Sequence, residues 1–148
     1  MRPSPGQKVR AVDGSVDEML EDADAALDEL KANYTTWALE DIGRMQACLD
    51  AAVAEPAAAE SHLEDLFKVC HDVKGQGGSF DYPLVTAVGQ SLCDFLRTGA
   101  ANTGFGHKVI AAHLGALRPV LENGISGDAG ATGARLVEEL AALVARDA

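Results

Sequence analysis

The stretch Cys70-His71-Asp72-Val73-Lys74-Gly75-Gln76-Gly77-Gly78-Ser79-Phe80 carries the residue types whose spacing points to chemistry. At about 100° per residue, with His71 at zero, Leu63, Leu66, Cys70 and Val73 cluster between roughly 200° and 280°. A helix in that phase turns the imidazole toward water. Glu64, Lys68, Gly75 and Gly78 lie within about 60° of it, and Phe67 and Lys74 fall at the margin between that face and the core. An imidazole in water titrates close to neutrality, so a neutral, nucleophilic ring needs no special tuning. Three glycines in the last turns of this helix are costly, since each weakens a helix interior by roughly 1 kcal/mol relative to alanine, so something should offset them. Gly75, one turn beyond His71, and Gly78, two turns beyond, leave bare backbone on which a large partner can approach the ring. Lys74, at i+3, can bring a cation beside an anion received there. The expected chemistry is acceptance of an anion delivered by another macromolecule.

Such a ring needs a scaffold that buries one side of its helix and leaves the other open. Residues 1–14, with Pro3, Pro5, Gly6 and Gly14, hold too few apolar groups to offset ordering entropy and read as a flexible tail, leaving 15–147 as the folded domain. Ser15 can cap a first helix, with Asp17 and Glu18 in its first turn and Met19, Ala23, Ala26, Leu27 and Leu30 at helical spacing, ending near Asn33. Thr35 or Thr36 can cap a second, striped by Trp37, Leu39, Ile42, Met45, Leu49 and Val53, with Glu40, Asp41 and Arg44 on a solvated face. The helix of His71 starts at Pro56 and runs to about Ser79. A fourth begins at Pro83 and carries Leu84, Val88, Leu92 and Phe95 up to Thr98-Gly99. A fifth spans roughly 105–122, where Pro119 should kink it or end it early. The glycine-rich stretch 123–133 reads as a loop before a last helix over about 134–146. Six amphipathic segments with short links suit an all-α fold: an antiparallel four-helix bundle with an additional helix at each end.

Composition agrees with that scaffold and excludes several classes. The chain has 148 residues, 47% apolar but only 5% aromatic, so its apolar content is mainly alanine, leucine and valine, which favour helix. That length suits one domain. A net charge of −11 should repel phosphate backbones and anionic lipids, so neither nucleic acid nor membrane is an expected partner. Cys48, Cys70 and Cys93 show no CxxC spacing, which fits neither a disulfide framework nor a zinc knuckle. No apolar run is long enough to cross a bilayer and no signal-like segment follows the first charges, so the expectation is a cytoplasmic protein.

The pentapeptide His71-Asp72-Val73-Lys74-Gly75 resembles the His-x-x-Lys-Gly signature of histidine-containing phosphotransfer (HPt) domains, small helical bundles with a phospho-accepting histidine on the solvent face of one core helix. The resemblance extends over most of the chain, through its length, the phase and central position of this helix, and the following Gly77-Gly78-Ser79-Phe80. Where family members often carry a small residue after Lys-Gly, this chain has Gln76, about 140° round from His71. The resemblance implies that His71 exchanges a phosphoryl group with a receiver-domain aspartate in bacterial two-component signalling, that Lys74 steadies the phosphate and that Gly75 permits close docking. Gly78, Glu64, Phe67 and Lys68 would border the docking partner, a response-regulator receiver or that of a hybrid histidine kinase. The expected molecule is a monomeric phosphocarrier without autonomous kinase activity and without a cofactor of its own, since the metal for in-line transfer can come from the receiver.

The competing reading is a non-catalytic helical module that docks on, or sequesters, receivers or other signalling proteins. A metal site lacks a supporting motif, with no His-Glu-x-x-His and no cysteine cluster, and ATP-dependent autophosphorylation lacks a glycine-rich phosphate loop. His62 lies near 180° from His71, and His107 and His113 are six apart, a spacing that does not put two ligands on one helix face, so all three are expected to be structural.

Overall fold

Alanine- and leucine-rich segments with few β-branched runs form helices, and in the computed structural model the described residues, 14–127 and 129–146, are helical or in short connections, with no strand among them. The helices are α1 (Gly14–Ala54), α2 (Ala59–Gly77), α3 (Pro83–Leu96), α4 (Gly104–Glu122) and α5 (Gly130–Ala145), with 3₁₀ turns at Pro56–Ala58, Gly78–Phe80 and Gly99–Asn102. None of the described helices is long and apolar enough to cross a membrane. The expected flexible tail falls on residues 1–13, outside the described residues, together with Gly14, which is already the first residue of α1.

Contacts divide the chain into two units, Met1–Asn33 and Tyr34–Ala148. In the first, residues 15–30 are all exposed, including Val16, Met19, Leu20, Leu27 and Leu30. The expected break between two helices at Asn33–Thr36 does not occur, and α1 is a single element. That stretch contains neither proline nor glycine, and Thr35 and Thr36 lie inside the helix, as does Ser15 at its start, so none of them acts as the expected N-cap.

In the second unit the buried positions of α1 are Tyr34, Ala38, Ile42, Met45, Leu49 and Ala52. Trp37, expected in that stripe, is 49% exposed, and Val53 is 55% exposed. Trp37 stands about 140° from Ile42 around the helix, and its size outweighed its phase in the expectation. The aromatic ring inside is Tyr34, stacked on Phe80 at 4.8 Å and packed at 5.5 Å from Tyr82. This cluster fastens the turn that follows α2. In that turn Asp81 takes a left-handed conformation (φ 65°), which a short polar side chain tolerates, and the chain re-enters helix at Pro83.

α2 packs along α3, α3 also meets α4 and α5, and the core gathers Ile42, Met45, Leu66, Val73, Val85, Leu92, Ile110, Leu114 and Leu117, each fully buried or nearly so. Thr98 and Thr103 cap the segments after α3, their hydroxyls accepting from the N–H of Ala100 (3.3 Å) and Gly106 (2.8 Å). α4 does not stop early at Pro119. The proline sits in the last turn, where it removes a single backbone bond, and the helix continues to Glu122. α5 starts at Gly130, four residues before expected: Gly124, Gly127 and Gly130 take positive φ in the connection, whereas Gly133 is buried within the helix.

Candidate functional site

α2 buries Ala59, Leu63, Leu66, Cys70, Val73 and Gly77 on one face, and this phase places His71 on the other. His71 is exposed and forms no hydrogen bond or ion pair with any described residue; its one recorded neighbour is the Phe67 ring, 6.2 Å away and tilted by 35°. Phe67 is half-buried, and the Arg97 guanidinium lies 5.2 Å from its ring centroid on the other side of the α2–α3 seam. Glu64, Lys68, Asp72, Gly75 and Gly78 are exposed alongside, and Lys74 is half-buried at the margin. Of the sequence-derived set, His71, Gly75, Glu64 and Lys68 lie on the open side of α2, Phe67 and Lys74 at its margin, and Gly78 in the turn that follows. Between α2 and the Gly99–Asn102 turn, a groove of about 590 Å³ lined by Leu63, Phe67, Lys68, Leu96, Arg97 and Ala101 continues this surface toward the start of α2.

The Lys74 backbone is held by residues that the sequence did not single out. Thr86 Oγ1 donates to the Lys74 carbonyl at 3.0 Å. Opposite, Gly89 is buried so closely that a Cβ there would stand 3.0 Å from Lys74 Cβ and 3.3 Å from its Cα. A larger residue at 89 would push the two helices apart where Lys74 leaves α2. Beneath, the Cys93 thiol donates to Cys70 Sγ, which donates in turn to the Gly89 carbonyl, both at 3.4 Å. That hydrogen bond and burial push the Cys70 thiol up, so it remains a protonated packing group.

The glycines divide by surroundings. A Cβ at Gly77 would lie 2.5 Å from Thr86 Oγ1 and 2.9 Å from the Tyr82 carbonyl oxygen, so glycine there is demanded by the fold. At Gly75 a Cβ would meet nothing within 4 Å, and at Gly78 only Thr86 Oγ1 at 3.9 Å. The helix-breaking cost at Gly75 is thus offset by no packing of a side chain against the described residues.

The other histidines have partners or cover. Val109 offers a carbonyl at 2.8 Å, so His113 Nδ1 is its donor, and His113 Nε2 accepts from the Ser91 hydroxyl at 2.9 Å. Burial pushes the His113 pKa down and keeps this ring neutral. His62 Nε2 lies 2.9 Å from Glu55 Oε1, and His107 Nε2 is buried. The ion pairs recorded among the described residues are Arg44 with Asp41, His62 with Glu55 and Arg135 with Glu139, so none of them engages Lys68, Lys74 or Arg97 around His71. Among the described residues no group of three or more His, Cys, Asp and Glu side chains is placed to hold a metal.

One of the missed residues carried a faint signal. Gly89 is a lone glycine within an apolar helical pattern, which marks a close backbone approach. Thr86 and Arg97 carried none, because their roles depend on how α3 lies against α2. Set against family models, curated proteins and solved structures, the chain finds no match.

Proposed function

We propose that this chain is a histidine phosphotransfer protein, relaying a phosphoryl group between His71 and receiver-domain aspartates. In this reading α2, α3, α4 and the Tyr34–Ala54 part of α1 make up an antiparallel four-helix bundle of the HPt kind, with α5 and the start of α1 added to it. A lone pair on the His71 ring attacks the phosphorus of a receiver's aspartyl phosphate. The P–N bond forms as the P–O bond breaks, the aspartate leaves as a carboxylate, and the ring's surplus proton passes to solvent. Lys74 offsets the dianionic charge that the phosphohistidine adds to an already acidic chain. The receiver contributes the metal, and this chain contributes one nucleophile and a surface that admits it.

One observation carries the reading: an exposed imidazole with no hydrogen bond to any described residue stands one turn from a glycine at which a Cβ would meet none of the described residues within 4 Å. Incubation with a phosphorylated receiver tests it. The expected result is acid-labile, base-stable label on the wild-type chain and none on His71→Gln. Binding without label would make the chain a docking module instead.

A further inference from the structure

Residues 14–33 open α1 as a helical segment about 30 Å long at 1.5 Å per residue. On its wheel Ala26, Met19, Leu30, Ala23, Val16, Leu27 and Leu20 fall in one unbroken arc of about 120° that contains no charge. Val16, Met19, Leu20, Leu27 and Leu30 are 43–59% exposed, so no described residue covers the arc. Its period is a heptad, with Leu20 and Leu27 at a and Val16, Ala23 and Leu30 at d. The acidic residues Asp17, Glu18, Glu21, Asp22, Asp24, Asp28 and Glu29 all lie off the arc, and Lys31 is the single base of the segment.

We infer that residues 16–31 associate with the same segment of a second copy of the chain, as an antiparallel helix pair. The charges select both occupant and direction. Asp17, Asp24 and Lys31 form one flank of the arc at e, and the other flank, at g, is the uncharged set Met19, Ala26 and Asn33. Antiparallel pairing sets e against e, so Asp17 of each copy faces Lys31 of the other twice, at the cost of one Asp24 pair at the centre. Parallel pairing sets e against g and brings no opposite charges together. The antiparallel register also sets Leu20 against Leu30 and Ala23 against Leu27 of the second copy, so that no alanine faces an alanine across the seam. At roughly 400–500 Å² per copy the contact is well below that of a standard interface, so association is weak and depends on concentration. The inference is independent of phosphotransfer, and it adds to the expected monomer an equilibrium with a dimer.

The test is sedimentation equilibrium of the full chain from about 10 μM to about 1 mM, the span over which so small an interface should dissociate. The expected result is a reversible shift from one to two chains, lost over the same range in Leu20→Glu/Leu27→Glu. Because those changes can melt the segment itself, charge variants give a second reading. Asp17→Lys and Lys31→Asp, each alone, should weaken self-association roughly threefold or more, and an equimolar mixture of the two should restore it, since both e–e contacts then become attractive. The mass of one chain throughout would overturn the inference and leave the arc to a partner whose apolar groove is rimmed by lysine and arginine. A dimer indifferent to Leu20→Glu/Leu27→Glu, or a mixture no tighter than its components, would overturn it as well.

Discussion

The two faces of the last turns of α2 are built from similar residues for opposite reasons. On the inner face Gly77 sits where a Cβ would collide with Thr86 and the Tyr82 carbonyl, and Cys70 and Val73 are sealed against the core. On the outer face His71 and Gly75 touch almost nothing among the described residues: the ring has one aromatic neighbour, Phe67, and the glycine has open space. A glycine required by packing explains itself from within the chain. A glycine that costs helix stability and meets no neighbour among the described residues leaves open room beside it, and in the proposed reading Gly75 leaves that room for a receiver. The difference separates what holds this helix in place from what the helix presents.

The largest effect should come from the outer face. His71→Gln is expected to abolish phosphoryl label from a receiver while the thermal midpoint stays within error of wild type, because the ring forms no hydrogen bond with any described residue. A midpoint that falls with the label would mean that the imidazole is part of the scaffold. Next is the inner face. Gly77→Val forces a side chain into the Thr86 contact and should lower unfolding free energy by about 1–3 kcal/mol in denaturant titrations. An unchanged midpoint there would erase the distinction between the two faces.

What could be read before folding was the period of each segment. The spacing of Leu63, Leu66, Cys70 and Val73 defines one side of a helix and leaves His71 on the other, whatever α2 packs against. Pro83 marks a helix start by its own covalent geometry. What could not be read depends on neighbours distant in sequence. Phase alone puts Gly77 on the core side and Gly75 on the outer one, but the collision at Gly77 could not be read, since its Cβ would meet residues of α3 and the preceding turn. Arg97 over Phe67 and Gly89 against Lys74 are likewise contacts between helices. Trp37 shows the reverse failure: a large apolar side chain draws the eye to the wrong phase, and the core is filled from Tyr34 instead.

Lys74 lies on the boundary between the two faces, with its backbone held by Thr86 and its side chain half-buried beside Gly89. Lys74→Ala keeps the backbone bond and removes the charge, so stability should change little while transfer to His71 slows roughly tenfold, the effect of losing about one charge-assisted contact to the phosphate. Rapid-quench measurement of label against time checks it. An unchanged rate with a lowered midpoint would assign the lysine to the inner face.

The smallest change is the most discriminating. Alanine at Gly75 adds one methyl group at a position where a Cβ meets nothing within 4 Å. It also removes backbone freedom from the unfolded chain, so Gly75→Ala should raise unfolding free energy by about 0.5–1 kcal/mol. If the glycine served the fold, the same substitution would lower it. A stabilised variant that also accepts phosphate more slowly than wild type would show that the missing side chain is needed only when a receiver is present. The opposing signs of the two readouts make the result hard to imitate by general damage, which would lower both. A variant more stable and equally fast would leave Gly75 without a role in docking and return the clearance to Gly78 alone.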